Sequence, residues 1–379
     1  MFFNKLKVSL VGTVSLLTIF RAGTANAEWG LNMTTGVTPV SQEVYDLHML
    51  ILWIVTIIGV AVFGVMFWSI FKHRKSKGAI AAQFHHSTFA EIAWTIIPIL
   101  ILVGMAVPAT KTLIKMEETG DAEMTVKITG YQWKWKYDYL DEDVSFFSTI
   151  SKASNDARQR GSSIDPNTVD NYLLDVDEPI VLPINTKIRL LTTAADVIHA
   201  WWVPDLGWKR DAIPGFINDN WAVITKPGTY RGQCAELCGK DHGFMPIVLK
   251  AVPEEEYMQW VAMKKEEQAS AAAGADKEWS MEDLVAKGKE VYSANCASCH
   301  MANGQGLPGT FPALDGSPIA GGGMAADHIS LVLKGKNLMP AFSEQLNDVD
   351  LAAVITYERN SWSNKTGDVV QPADVAAAR

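Results

Sequence analysis

Cysteine is scarce in this chain: four residues among 379, in two tight pairs, Cys234/Cys238 and Cys296/Cys299. Four are too few for a disulfide-stapled scaffold, and two separated pairs point instead to two separate sites. Positive charge is in deficit, with 33 Lys and Arg against 42 Asp and Glu and a net charge of −9. That balance argues against a nucleic-acid partner and for attraction to basic ones. Formal charge is missing altogether from Met49 to Phe71, 23 residues, and from Ile92 to Thr110, 19 residues. Lysine and arginine are also missing from Glu28 to Asp46. No internal repeat stands out.

The uncharged runs are long enough to be membrane spans, expected at about 47–71 and 92–110. The loop between them carries Lys72, Arg74, Lys75 and Lys77, so it is expected on the cytoplasmic side with both outer ends across the membrane. Ahead of the spans, Lys5 and Lys7 precede an apolar run from Val8 to Phe20 and the stretch "RAGTANAEW". Ala25 and Ala27 suit a signal peptidase, so residues 1–27 read as a signal peptide and residues 28–118 as an N-terminal segment plus transmembrane hairpin. Everything beyond, roughly 270 residues, is then extracytoplasmic and has room for two domains.

Residues 119–262 are β-rich. "MTVKITGYQWKWKYDY" alternates and is loaded with β-branched and aromatic side chains, while "NWAVITKPGTYRGQC" reads as strand, Pro-Gly turn, strand. Short strands with frequent turns predict a sandwich or barrel, with 145–172 a polar, irregular excursion. Residues 263–278, "MKKEEQASAAAGADKE", lack an apolar stripe and read as a linker or a solvated helix tail. Residues 279–379 carry helical patterns, with Asn347 or Asp348 as one N-cap. The last ten residues read as frayed, and His328 as a surface or helix-start residue.

The loop "GQCAELCGKDHGFMP" concentrates Cys234, Cys238, His242 and Met245. A disulfide would leave the histidine and methionine unexplained, and zinc has little use for a thioether. Thiolate, imidazole and thioether together are copper's soft ligand set. Cys238, His242 and Met245 follow the order of a single-copper cupredoxin loop, and His199, ending a predicted strand, can supply a second imidazole. The additional thiolate of Cys234 lets two sulfurs bridge two copper ions. One imidazole would then serve each metal, Met245 would be a weak axial ligand to one, and the Glu236 carbonyl would serve the other.

"DVIHAWWVPDLGWKRDAIPGF", "GTYRGQCAELCGKDHGFMPIVL", "EIAWTIIP" and "YQWKWKY" together resemble subunit II of cytochrome c oxidase over roughly residues 41–252. The resemblance implies a cupredoxin-like domain with a dinuclear CuA centre held by His199, Cys234, Glu236, Cys238, His242 and Met245. It also implies a magnesium ion reached by the Glu236 carboxylate at the boundary with subunit I, with Asp196 and Asp211 nearby. Trp133 matches the tryptophan through which electrons reach copper, although sequence alone does not separate it from Trp135. Glu91, at the cytoplasmic start of the second span, is the corresponding proton entrance.

"CASCH" at 296–300 is C-x-x-C-H, the covalent attachment pattern of haem c. Cys296 and Cys299 would bond the vinyl groups and His300 the iron. Met339, in "NLMPAF", is the expected sixth ligand, with Met324 and Met301 as weaker rivals. The region resembles a class I cytochrome c domain. The whole is thus expected to be a multidomain membrane protein: a two-helix hairpin, an all-β cupredoxin-like sandwich and an all-α cytochrome c domain. The resemblance implies subunit II of a caa3-type oxidase in a bacterial inner membrane. Electrons from an external donor such as a cytochrome c would pass through haem and copper to subunit I, which carries haem a and CuB. A membrane-anchored copper chaperone is the alternative, although it leaves the haem motif idle.

Overall fold

The structure, a computed structural model, describes residues 32–379 except 82, 84 and 160. The signal peptide expected over 1–27 lies outside the described residues. Helix α1 spans Pro39–Lys72 and α2 spans Thr88–Met116. Proline at the first helical position and a reciprocal Thr38–Ser41 capping pair, 2.9 Å each way, set the start of α1. Its 34 residues extend about 51 Å, well beyond a hydrocarbon core of about 30 Å. Both helices are long and apolar enough to cross a membrane, and both run past the expected spans. The extra turns of α1 stand on the β domain, where Val37 N donates to the Asp205 carbonyl and Thr38 Oγ1 to the Leu206 carbonyl, both at 2.9 Å. The end of α2 is held by Trp221, whose Nε1–H donates to the Lys115 carbonyl at 3.1 Å.

Among the described residues ten strands follow: β1 Met124–Tyr131, β2 Lys134–Tyr139, β3 Val144–Ser148, β4 Ile180–Pro183, β5 Lys187–Ala194, β6 His199–Val203, β7 Trp208–Ala212, β8 Asn218–Val223, β9 Gly228–Gln233 and β10 Pro246–Val252. One sheet has the order β3-β2-β1-β5-β8, a second β4-β10-β9, and β6 pairs with β7. The β1–β5 and β4–β10 pairs are parallel and the others antiparallel. Along β5, Ile188, Leu190, Thr192 and Ala194 point into the core in strict alternation. This is the expected cupredoxin-like sandwich. The irregular excursion after β3 contains a short helix, α3 Lys152–Ala157, capped by Ser151.

Helix α4, Glu254–Gly274, opens with three glutamates at its positive end. Tyr257 and Trp260 dock it on the sandwich, the Trp260 ring 5.1 Å from that of Tyr139. The expected linker therefore starts inside this helix. Lys264 Nζ pairs with Glu178 at 2.7 Å and Glu267 at 2.8 Å, and the alanine-rich run continues the helix because alanine has the strongest intrinsic preference for it.

The last domain comprises α5 Met281–Asn295, α6 Ala297–His300, α7 Ala325–Lys334, α8 Asp348–Asn360 and α9 Pro372–Ala378. Ser280 caps α5 and Asn347 caps α8. Helices α5 and α8 pack closely at Gly288, where a Cβ atom would lie 2.0 Å from the Ala353 carbonyl oxygen. Gly288→Ala should therefore force the two helices apart and cost about 1–3 kcal/mol. A thermal melt of the haem-loaded chain should show the cytochrome transition lowered by several degrees, and an unchanged transition would contradict this packing.

Two expectations fail here. His328 does stand near the start of α7, but not at the surface: it is 2% exposed, and its Nε2 lies 3.0 Å from Glu358 Oε2. The amphipathic pattern of α7 turns this residue inward with Ile329, and sequence alone did not reveal the acidic partner on α8. Nor is the C-terminus frayed. Val370 and Val375 are buried, Gln371 and Asp374 cap α9, and Arg379 pairs with Asp348 at 2.6 Å. Two buried valines are too sparse a signal to have predicted that docking.

Candidate metal centre and haem-attachment site

His199 opens β6, while Cys234, Glu236, Cys238, His242 and Met245 lie on the loop joining β9 to β10. The loop is drawn against β6 by a hydrogen bond from Ala235 N to the Ala200 carbonyl at 3.0 Å. It closes on itself through Cys234 N and the Met245 carbonyl, also at 3.0 Å. The Cys234 and Cys238 sulfurs are 3.7 Å apart, far beyond a disulfide bond of about 2.05 Å. Two thiolates on a common metal, with bonds of about 2.3 Å at a tetrahedral angle, sit about 3.8 Å apart. The spacing is that of shared ligands.

One imidazole addresses each sulfur. His199 Nδ1 lies 4.0 Å from Cys234 Sγ, and His242 Nδ1 lies 3.5 Å from Cys238 Sγ. The Cys234 thiol donates to the Glu236 carbonyl at 3.3 Å, so that oxygen also faces the sulfurs. Met245 is 1% exposed. Ligand atoms of His199, Cys234 and Cys238 lie within 4.8 Å of one another. The hydrogen bond between the two sulfurs couples them, pulling Cys234 well below the usual thiol range and pushing Cys238 above it. A soft cation binding both sulfurs would displace their protons. Both thiolates, both imidazoles, the thioether and the carbonyl fit copper's donor set.

Sequence reasoning placed Asp196 near a subunit boundary and missed its contact with His199. Its Oδ1 is 2.9 Å from His199 Nε2, and its Oδ2 accepts from Gln132 N at 2.7 Å. The carboxylate fixes the ring with Nδ1 turned to the sulfurs, as carboxylates commonly do for metal-binding histidines. Burial pushes the His199 pKa down, but Asp196 and Cys234 outweigh it and the net shift is upward. The Asp-x-x-His spacing was the available signal. Gly130 completes the cradle, since a Cβ there would meet the His199 ring at 2.8 Å. Asp196→Ala should lower copper affinity about 10–100-fold, measured by competition with a chelator, and equal affinity would refute the orienting role.

Trp133 and Trp135 are now separable. Trp133 is half-buried, and its Nε1–H donates to the Cys238 carbonyl at 3.1 Å. Trp135 is fully buried and meets the His199 ring edge-on at 5.9 Å. Asp211 lies on β7, its carbonyl accepting from Asn218 and its carboxylate pairing with Lys209. Glu91 stands in the first turn of α2, exposed, with Oε1 accepting from Ser87 N at 3.4 Å.

In the helical domain, His300 Nδ1 lies 2.9 Å from the Pro312 carbonyl. That bond holds the ring and leaves Nε2 free to bind iron. Cys296 and Cys299 are free thiols, and burial pushes both up. Met339 is half-buried against the domain core and makes a bridge with Lys336, whereas Met324 is 69% exposed. Met301 follows the histidine at φ +62°, its carbonyl accepting from Tyr292 Oη at 2.7 Å. The residues fit a covalently attached haem.

Known proteins match the same three segments. Residues 124–252 match the family "Cytochrome C oxidase subunit II, periplasmic domain" and residues 26–112 match "Cytochrome C oxidase subunit II, transmembrane domain". Residues 283–357 match "Cytochrome C oxidase, cbb3-type, subunit III". The probable cytochrome c oxidase subunit 2 of Rickettsia bellii is 39% identical over 70% of this chain and 94% of its own length. Cytochrome c oxidase subunit 2 of Cereibacter sphaeroides is 35% identical over 61% of this chain and 79% of its own. The crystal structure of the periplasmic domain of subunit II from Bradyrhizobium japonicum is 40% identical, covering 39% of this chain and 98% of that one, with a TM-score of 0.34. The chain belongs to the cytochrome c oxidase subunit II family and carries a cytochrome c domain after its cupredoxin-like domain.

Proposed function

We propose that this chain is subunit II of a caa3-type haem–copper oxidase, accepting electrons at its own haem c and passing them through a dinuclear CuA centre to subunit I. Oxygen reduction to water and the proton pumping coupled to it belong to subunit I, which carries haem a and CuB. The observation that carries this reading is the 3.7 Å sulfur–sulfur distance with one imidazole nitrogen turned to each sulfur. The bound groups supply reversible one-electron storage.

The chain's own residues bind, orient and exclude water. Cys234 and Cys238 present the thiolates, His199, His242, Met245 and the Glu236 carbonyl complete the copper set, and Asp196 holds the His199 ring. Cys296 and Cys299 would anchor a haem, whose iron His300 and Met339 would bind. Trp133 is the electron entrance to copper, through its hydrogen bond to the Cys238 carbonyl. Glu236 reaches magnesium at the subunit I boundary, and Glu91 opens a proton path on the cytoplasmic side. The two helices anchor the chain in a bacterial inner membrane, with both cofactor domains on the periplasmic face. Domain limits of 28–118, 119–262 and 279–379 describe that arrangement. The immediate donor is an external one-electron carrier such as a cytochrome c.

The test is direct. The detergent-solubilised full-length chain, loaded with copper and haem, should show hyperfine coupling to two equivalent coppers and a low-spin covalent haem. A single-copper signal, or a Cys234–Cys238 disulfide in copper-loaded protein, would refute the dinuclear reading.

A further inference from the structure

Lys134 opens β2 and is only 5% exposed, yet among the described residues its ammonium makes no ion pair. It donates to Asn295 Oδ1 at 2.7 Å, and Asn295 is the residue before Cys296 of the haem-attachment motif. Two aromatic faces stand in for part of its hydration, with ring centres at 4.6 Å for Phe147 and 5.7 Å for Phe342. A buried cation is costly unless its contacts replace water, and burial lowers the Lys134 pKa to about 8. The ionisable groups it faces pull the other way, Cys296 first and then Asp177 and Asp196. None of them neutralises it. Cys296 carries no charge once its sulfur is a thioether, Asp177 accepts from Thr149 and from Glu178 N, and Asp196 holds His199 and Gln132 N. Tyr131, opposite Lys134 on β1, has its phenol pushed up by burial and then by Glu344, so it stays neutral. Arg158 and Asp241 pair with each other at 3.0 Å. These two, with Trp133, Asn295 and Ser298, line a cavity of about 30 Å³ beside Lys134, room for about one water molecule and so for delivery of a proton.

We propose that the buried Lys134 ammonium is the charge that holds up the reduction potential of the haem, and that haem reduction is coupled to uptake of a proton at Lys134 Nζ. The inference rests on the two-cofactor reading above and goes beyond it by assigning the group that tunes the haem. Away from water a charge acts more strongly on its neighbours than it does at the surface, and a cation favours the haem that carries the extra electron. Lys134 is charged below its pKa, so the potential is high there and falls as the pH rises through about 8. The coupling is reciprocal: an electron on the iron raises the affinity of Nζ for its proton by the same factor. In the chains whose Lys134 is neutral, one electron goes to the iron and one proton goes from water to Nζ, and no bond between heavy atoms forms or breaks. Lys240 is the contrast. It also reaches the motif, donating to the Ser298 carbonyl, but it is exposed, and solvent and salt screen its charge.

The copper- and haem-loaded chain in its oxidase complex tests this, by redox titration of both centres at pH values well below and well above 8. In the wild type the haem should lose about tenfold of its preference for the reduced form across that interval, a fall of about 59 mV. Lys134→Gln keeps a donor for Asn295 Oδ1 and removes the charge. At low pH it should already show the wild-type value for high pH, and its potential should no longer change through pH 8. Lys240→Gln should match the wild type in both potential and profile. The copper potential should move less than that of the haem, because Cys296 outranks Asp196 among the groups Lys134 faces. The proposal is overturned by a wild-type haem potential that stays level through pH 8, by a fall that persists in Lys134→Gln, or by a larger shift at copper. An equal loss in Lys240→Gln overturns it too, since any nearby positive charge would then serve. If Lys134→Gln does not fold, the wild-type profile decides alone. Abnormal copper or haem spectra in the wild type would refute the two-cofactor reading instead, so the two failures remain distinct.

Discussion

If the proposed dinuclear centre is right, replacing Cys234 with serine should leave a protein that binds one copper ion instead of two. The argument is geometric. Cys238, His242 and Met245 lie together on one loop and, with His199 as second imidazole, offer a soft ligand set for a single metal; Cys238 Sγ is already 3.5 Å from His242 Nδ1. Cys234 is the residue that brings the other ligands into the same cluster. Its sulfur is 3.7 Å from Cys238, 4.0 Å from His199 Nδ1 and 3.3 Å from the Glu236 carbonyl. A serine oxygen is harder, shorter-reaching and protonated at neutral pH, so it does not bridge soft metals as a thiolate does. Metal analysis should fall from two copper ions per chain to one, and the hyperfine pattern should become that of a single copper. The fold should survive, since Cys234 and serine differ little in volume and the loop keeps its backbone bonds. A serine variant that retains the two-copper signal would disprove the bridging role.

How much of this was legible from residues alone depends on how local each signal was. The membrane helices were visible because an uncharged apolar run of about 20 residues matches the thickness of a bilayer and little else. Their extra turns were not, because they depend on Val37, Thr38 and Trp221 meeting partners far along the chain. The ligand loop was legible because Cys234, Cys238, His242 and Met245 are close in sequence, and His199 was found because such a site needs a second histidine from an upstream strand, although it opens β6 rather than ending a strand. Asp196 escaped as a partner of His199 because its role lies in the direction of one oxygen. His328 escaped because a histidine at a helix start ordinarily faces water, and only α8 brings Glu358 against it. The hydrogen bonds from Lys134 to Asn295 and from Lys240 to Ser298 escaped altogether. Lys134 and Lys240 read as ordinary strand and loop charges, and nothing in their neighbourhood announces Asn295 or Ser298, more than fifty residues away.

The second large effect is expected at Met339. Changing it to alanine should remove the thioether from the haem iron, abolish the low-spin Met-ligated spectrum and lower the reduction potential. Three methionines could in principle have served. Met301 adjoins the proximal His300, and its backbone is held by Tyr292, so it lies on the wrong side of any ring bound by that histidine. Met324 precedes α7 as its N-cap and is 69% exposed, pointing away from the core. Met339 alone combines partial burial against the domain core with a tight turn, Lys336 to Met339, that fixes its backbone. A Met/His ligand pair raises the iron potential, and for a one-electron couple each tenfold loss of preference for the reduced form lowers it by about 59 mV. A drop of at least that size is expected for Met339→Ala, while Met324→Ala should leave both spectrum and potential unchanged. The lower potential makes the haem a weaker acceptor, so haem reduction by an external donor becomes the slow step even though both covalent thioether bonds remain. A redox titration and optical spectrum of the purified full-length variants decide the matter. A low-spin Met-type spectrum surviving in Met339→Ala, and lost in Met324→Ala, would move the ligand to the loop before α7.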